Sequence, residues 1–174
     1  KGLEQEITNF SSAILISSSI IFFYILPFAF QLIINNFNKI KSIIFEIFKI
    51  KYFFFISVLF FVLSLSFYYS DEIGGGIFYK ISNIIFKNNY IFFMTSYLGL
   101  YLILFYNKKN ISNYLLSILL LITFSTGIFI FQKYFEPMFL ILFLSFFNNN
   151  KIEESISKNN IYISLYFSLY YVVV

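Results

Sequence analysis

The sequence contains no cysteine, histidine, tryptophan or arginine, and only 11% of its 174 residues are charged. Without cysteine there are no disulfides, thiolate nucleophiles, iron–sulfur clusters or zinc–thiolate sites. Without histidine there is no imidazole base and no usual haem ligand. We therefore expect neither a metal nor a cofactor, and any catalytic acid or base has to be Asp, Glu, Lys or Tyr.

Hydrophobic and aromatic side chains dominate the chain instead. They make up 60% of the residues, with 28 Phe and 15 Tyr, and the mean hydropathy is +0.83. A soluble domain carries about 25% charged residues. When a domain of this size folds, about 30% of the surface that its unfolded chain exposes stays in water, and a chain this apolar cannot cover that surface with polar residues. The composition predicts an all-α polytopic transmembrane bundle. We expect residues 1–174 to form a single transmembrane domain, a segment of a longer chain.

The apolar runs predict about six membrane spans. The run at 10–34 is long enough to cross the hydrocarbon core of about 30 Å with some tilt, and Pro27 inside it predicts a kink. The run at 138–147 is too short unless the turn at 132–137 dips into the membrane, and a re-entrant segment is the alternative. The remaining spans are predicted at 52–69, 90–106, 111–131 and from residue 161 onward.

Several features between and within the spans predict local structure. Helical spacing of isoleucine and phenylalanine predicts interfacial amphipathic helices at 35–51 and 77–88. Residues 148–160 are predicted to form a polar loop. The three glycines from Gly74 to Gly76 predict a flexible turn whose backbone approaches some other group closely, and Gly99 predicts a packing contact.

Lysine distribution predicts the orientation. Residues 35–51 hold four lysines and one glutamate, and residues 107–110 hold two lysines. The positive-inside rule places both segments in the cytoplasm. Residues 1–9, 70–76 and 132–137 then share the external or lumenal face. Because the lysines lie in short loops, the expected partner is membrane lipid and not nucleic acid.

The polar residues of that external face are the candidate site, and we expect them to line one cavity. Lys133 and Tyr134 are predicted to bind a phosphate, and Asp71 or Glu72 to accept sugar hydroxyls. The alternative is that these residues are simply solvated and that Lys133 pairs with the carboxylate three positions on. No catalytic residue is assigned. The candidate substrate-binding residues are Lys133, Tyr134, Glu136, Gln132, Asp71 and Glu72, with Glu4, Gln5, Glu6 and Lys80 on the same face.

The residues Lys133, Tyr134, Phe135 and Pro137 resemble an external turn in the GT-C superfamily of membrane glycosyltransferases. In its dolichyl-phosphate-glucose-dependent branch, a basic residue, a tyrosine, a second aromatic residue and a proline precede an apolar helix. The resemblance implies transfer of a sugar from a polyprenyl-phosphate carrier on the external face, with inversion at the anomeric carbon. It also implies a catalytic acid in a first external loop, and no such loop is identified in this chain.

Two other functions fit the composition. One is a structural subunit of a large membrane complex, respiratory-type or other, with membrane-protein partners. Such a subunit suits a residue bias that is typical of an AT-rich genome. The other is a transporter segment. Transport would require ionisable residues in the middle of spans, and the predicted spans contain none.

Overall fold

A computed structural model describes residues 2–35, 53–69, 74–107, 111–124, 130–147, 149–156 and 161–173. Its regular secondary structure over these ranges is entirely helical, which confirms the all-α prediction. The interfacial helix predicted at 35–51 lies outside the described residues apart from Asn35. The basic segment at 107–110 lies outside them apart from Asn107.

The helices follow the apolar runs closely. The helix predicted at 90–106 has the bounds expected of it. A 3₁₀ turn at Gln132–Phe135 continues without a break through an α-helix into a π-helical turn at Leu142–Phe146. The α-helices are α1 (Gly2–Asn35), α2 (Phe53–Leu65), α3 (Gly76–Phe86), α4 (Tyr90–Tyr106), α5 (Ile111–Phe124), α6 (Glu136–Ile141), α7 (Asn149–Ile156) and α8 (Ile161–Val173).

Two predicted boundaries are wrong. The helix α2 ends at Leu65, four residues early, and the Ser12 hydroxyl then satisfies the non-helical backbone. It donates to the Tyr68 carbonyl at 2.7 Å and accepts from the Tyr68 N–H at 3.0 Å. The polar loop predicted at 148–160 contains the helix α7, because Ile152 and Ile156 are four positions apart on one face. Ile152 is buried, and α7 packs against α1.

The helix α1 is the centre of the bundle, and small residues bring α4 against it. The Ser96 hydroxyl lies 2.8 Å from the Leu15 carbonyl oxygen of α1. Three residues further along both helices, a Cβ on Gly99 would overlap the Ser18 carbonyl oxygen. The predicted packing contact at Gly99 is confirmed, and the matching order of these pairs shows that α1 and α4 run parallel.

Pro27 removes one backbone hydrogen bond from the middle of α1. Proline has no N–H, so the carbonyl four residues earlier, that of Phe23, loses its helical donor. The Tyr166 hydroxyl of α8 donates to this oxygen at 3.1 Å. A partner helix thus satisfies the carbonyl that the proline frees, as the apolar interior of a bundle requires.

Contacts between the remaining elements show that the apolar segments alternate in direction. Phe53 meets Tyr101 and Phe60 meets Phe93, so α2 is antiparallel to α4. The segment at 132–146 runs parallel to α1, while α5 and α8 run the opposite way. The pairs that fix these directions are Tyr24–Glu136, Phe28–Phe143, Asn113–Phe146, Phe124–Phe135, Phe23–Tyr170 and Phe28–Phe167.

The contact between Gly99 and α1 gives the first prediction. In Gly99→Ala the new methyl group meets backbone and not a flexible side chain, so α1 and α4 have to separate. We expect a loss of about 1–3 kcal/mol in unfolding free energy, the usual effect of overpacking. Thermal unfolding in detergent, followed by circular dichroism, measures it. Met94→Ala, on the exposed side of the same helix, is the control. Equal stability of Gly99→Ala and the wild type would contradict the packing.

Candidate functional site

Two stretches of non-helical backbone meet against the middle of α1. The Gly75 N–H donates to the Ile130 carbonyl at 3.0 Å. Gly75 and Gly76 have φ of 81° and 75°. Residues with a Cβ are sterically disfavoured in this backbone conformation. A Cβ on Gly76 would also lie 2.8 Å from Cγ1 of Ile20. The close backbone approach predicted for the glycine run is confirmed.

Gln132 joins this glycine turn to the central helix. Its side-chain Oε1 accepts the Ile77 N–H in the first turn of α3 at 3.0 Å. Its backbone carbonyl accepts the Tyr24 hydroxyl at 3.2 Å. Because the N–H requires an acceptor, this contact assigns the side-chain oxygen and leaves Nε2 on the other side. That Nε2 is buried and has no hydrogen-bond partner in the described part of the chain.

Tyr24 connects three polar groups through one hydroxyl. The side chain is 2% exposed. Its oxygen lies 3.4 Å from Oε1 of Glu136 and 3.3 Å from the Tyr170 hydroxyl, in addition to the Gln132 carbonyl. A hydroxyl has one proton and two acceptor lone pairs. Tyr170 can therefore donate to Tyr24, while the one Tyr24 proton goes either to the Gln132 carbonyl or to the Glu136 carboxyl.

The cluster of Tyr24, Gln132, Glu136 and Tyr170, hereafter the tyrosine–glutamate cluster, lies near the middle of α1. Tyr24 is about 21 Å along the helix axis from Phe10 and about 16 Å from Asn35, at 1.5 Å per residue. The turn at 132–137 therefore lies well inside the apolar part of the bundle. The run at 138–147 was too short to form a span unless this turn dipped inward. Glu136 itself is half-buried there.

Lys133 and Tyr134 lie beside this cluster but face outward. Both side chains are exposed, and the Lys133 ammonium group sits 5.4 Å from the centroid of the Tyr134 ring. The Tyr134 ring in turn meets Phe131 edge-on at 5.5 Å. Lys133 and Glu136 form no salt bridge with each other or with any residue that the structure describes. The alternative in which they simply pair is wrong.

The structure separates the sequence-predicted candidates into groups. Gln132 and Glu136 come together around Tyr24, and Lys133 and Tyr134 form an adjacent exposed pair. Asp71 and Glu72 lie outside the described residues, although the glycine run that follows them contacts Ile130 and Ile20.

The remaining candidates lie elsewhere. Glu4, Gln5 and Glu6 belong to α1, and even Glu6 is about 27 Å from Tyr24 along the axis. The helix continues without a break from Gly2 to the cluster, so their backbone lies far from it, and the expectation that they line the same cavity stays a prediction. Lys80 is on the exposed side of α3, whereas the neighbouring Tyr79 is buried.

Sequence reasoning missed Tyr24 and Tyr170, which complete the cluster. Tyr24 is the one tyrosine in the apolar run at 10–34, three positions before the only proline in that run. A polar hydroxyl beside a helix interruption was the available signal. It was obscured because the chain has 15 tyrosines, several of them at predicted span ends.

Comparison of the chain with protein-family models, with curated proteins and with solved structures finds no match.

The contact between Gln132 and α3 gives a second prediction. Gln132→Met keeps the length of the side chain and removes its oxygen, so the Ile77 N–H loses its acceptor. We expect a loss of about 1–3 kcal/mol in unfolding free energy, the desolvation penalty of a buried unpaired group. Thermal unfolding in detergent measures it. Lys133→Met, the same replacement at the exposed neighbour, is the control. Equal stability of the two variants would contradict the role of Gln132.

Proposed function

We propose that this chain is a multi-pass membrane protein with six crossings whose 132–137 turn binds a polyprenyl-phosphate-linked sugar on the external face. The binding proposal depends on the position of Lys133. It is an exposed cation without an ion pair among the described residues, one position from the tyrosine–glutamate cluster near mid-bundle depth.

The membrane assignment begins with α1. Among the helices that the structure describes, only its 26-residue part Phe10–Asn35, whose most apolar stretch has a mean hydropathy of 2.2, is both long and apolar enough to cross a bilayer by itself. The central helix of a soluble protein meets the same criterion, and 83% of the most apolar part of this one is buried. The assignment therefore needs support from the outer helices.

Exposed side chains on the outer elements supply that support. Soluble monomers rarely expose contiguous apolar patches of more than about 600 Å². Here large hydrophobic residues are exposed on α2, on α3, on the π-helical turn and on α8, a distribution that suits hydrocarbon as the surrounding solvent. Representative residues and their exposed fractions are Phe54 77%, Leu65 73%, Ile84 75%, Leu144 73% and Val172 84%.

The alternating direction of six apolar segments supports six crossings. The helices α2, α4, α5 and α8 have 13 to 17 residues, about 20–26 Å at 1.5 Å per residue. After α2 the described backbone continues the crossing, and the hydroxyl of Ser12 at Tyr68 satisfies its polar groups. Asn35 and Asn107 are at the C-terminal ends of parallel helices. The two lysine-rich segments therefore start from one side, which we assign to the cytoplasm.

The position of Lys133 suits a lipid phosphate. A lysine near mid-membrane depth is unfavourable by about 2.5–3.5 kcal/mol on insertion scales. An anionic phosphate beside the ammonium group offsets that penalty with a charge-assisted hydrogen bond. The Tyr134 ring holds the ammonium group, an interaction of about 0.5–1 kcal/mol at exposed sites. Its hydroxyl adds a second donor for the same phosphate.

The resemblance to GT-C glycosyltransferases extends the proposal from binding to transfer. It rests on Lys133, Tyr134, Phe135 and Pro137, which lie within five positions at the 3₁₀–α junction, with Phe135 buried and the other three exposed. In this proposal the turn presents the carrier phosphate, and the sugar attached to it is transferred on the external side. The residue that would activate the acceptor is not assigned.

The third prediction tests Lys133. In Lys133→Gln the side chain still donates a hydrogen bond but carries no charge. We expect the dissociation constant for undecaprenyl phosphate, measured with purified protein in lipid nanodiscs by native mass spectrometry, to rise about tenfold or more. That factor corresponds to the 1.5–3 kcal/mol typical of hydrogen bonds to charged groups.

Lys87→Gln is the matched control, because Lys87 is also an exposed lysine but follows α3, away from the cluster. Its dissociation constant should equal that of the wild type. If Lys133→Gln and Lys87→Gln weaken binding equally, the phosphate is attracted by the overall charge of the surface lysines, and the specific role of Lys133 is wrong. If wild-type protein does not bind the probe, the proposed function is wrong.

A further inference from the structure

We infer that the Glu136 carboxyl, positioned by Tyr24, binds hydroxyl groups of the sugar that the carrier phosphate bears. This inference rests on the proposed function and deepens it. It divides the 132–137 turn into two adjacent subsites, a phosphate subsite at Lys133 and Tyr134 and a sugar subsite at Glu136.

The Glu136 carboxyl has acceptor capacity that the protein does not use. A carboxylate offers about four lone-pair positions on two oxygens. The Tyr24 hydroxyl lies 3.4 Å from one of these oxygens, which is long for an O–H···O hydrogen bond. The Tyr171 hydroxyl lies beside the same carboxyl. No cation of the described chain pairs with it, so polar groups of a ligand are its natural partners.

Gln132 provides an independent second observation. Its Nε2 is buried without a hydrogen-bond partner among the described residues, although its Oε1 is fixed on the Ile77 N–H. An unpaired buried donor is unfavourable by about the same free energy as a lost hydrogen bond. A donor and an acceptor in one cluster match sugar hydroxyls, which both donate and accept. A bare phosphate would use only the donor.

The spacing of the two subsites also fits one ligand. Lys133 and Glu136 are three residues apart across the 3₁₀–α junction, and side chains with that spacing have Cβ atoms about 5–6 Å apart. A sugar phosphate spans a comparable distance between its phosphorus and its ring hydroxyls. A divalent cation fits less well, since Ca²⁺ takes about 6–8 oxygen ligands and this cluster contains a single carboxyl.

The test compares two phosphodiester probes of equal charge, undecaprenyl methyl phosphate and undecaprenyl phosphate–glucose, on the full chain in nanodiscs. The measured quantity is the dissociation constant of the sugar-free probe divided by that of the glucosylated probe. We expect the wild type to bind the glucosylated probe about tenfold more tightly, the size of one charge-assisted hydrogen bond. Glu136→Gln should bring the ratio close to one. Lys133→Gln should raise both constants and keep the ratio.

Tyr24→Phe tests the positioning role without disturbing the packing of the ring, which stacks on Phe139 at 5.3 Å. Tyr24→Phe should reduce the ratio by about threefold, since the Glu136 carboxyl remains but the Tyr24 hydroxyl no longer positions it. Tyr106→Phe is the control, because the Tyr106 hydroxyl is equally buried but has no hydrogen-bond partner in the described structure. That variant should keep the wild-type ratio.

The outcomes separate this inference from the proposed function. If the wild type binds both probes equally, or if Glu136→Gln keeps the wild-type ratio, the sugar subsite is not at Glu136 while phosphate binding stands. If the wild type binds neither probe, both proposals are overturned. If Tyr106→Phe changes the ratio as much as Tyr24→Phe does, the effect of Tyr24 is general packing, and the positioning role is overturned.

Discussion

The structure depends on satisfying backbone polar groups inside an apolar bundle. Without water in that interior, each N–H and C=O that leaves a helix has to find a protein partner. Pro27 frees the Phe23 carbonyl, and the Tyr166 hydroxyl bonds to it. The chain after α2 leaves its helix, and Ser12 bonds to Tyr68 twice. These partners come from different elements, so the same hydrogen bonds that satisfy the backbone also lock the helices together.

The candidate site follows from this constraint. The glycine turn and the 132–137 turn both bring irregular backbone against the middle of α1, where Gln132 and Tyr24 supply the missing partners. Non-helical backbone in apolar surroundings is tolerated only where it is buried in protein or lines a polar cavity. The cluster therefore combines a structural role, in Gln132, with unused polar capacity at Glu136. Lys133 adds a cation outside it, and this combination makes the turn a candidate site.

Much of the fold could be predicted from the sequence, because apolar length and turn chemistry are local properties. The bounds of α4, the close approach at Gly76 and the contact at Gly99 all follow from residue types at single positions. The helix α7 was missed because its composition is polar and its apolar face consists of only Ile152 and Ile156. The partners of Glu136 could not be predicted, since Tyr24 and Tyr170 are more than thirty residues away in the sequence. Only the nearby Pro27 distinguishes Tyr24 from the other tyrosines, and nothing local distinguishes Tyr170.

The central claim is that the chain crosses the membrane repeatedly and opens the 132–137 turn to the external side. The absence of native cysteine allows single cysteines at Lys87, Lys133 and Glu153, all exposed, to be labelled in intact cells with a membrane-impermeant thiol reagent. We predict labelling of the Lys87 and Lys133 positions from outside, and of the Glu153 position only after permeabilisation. Labelling of the Lys87 and Glu153 positions from the same side would contradict the alternating topology. Labelling of the Lys133 position only after permeabilisation would contradict an external site.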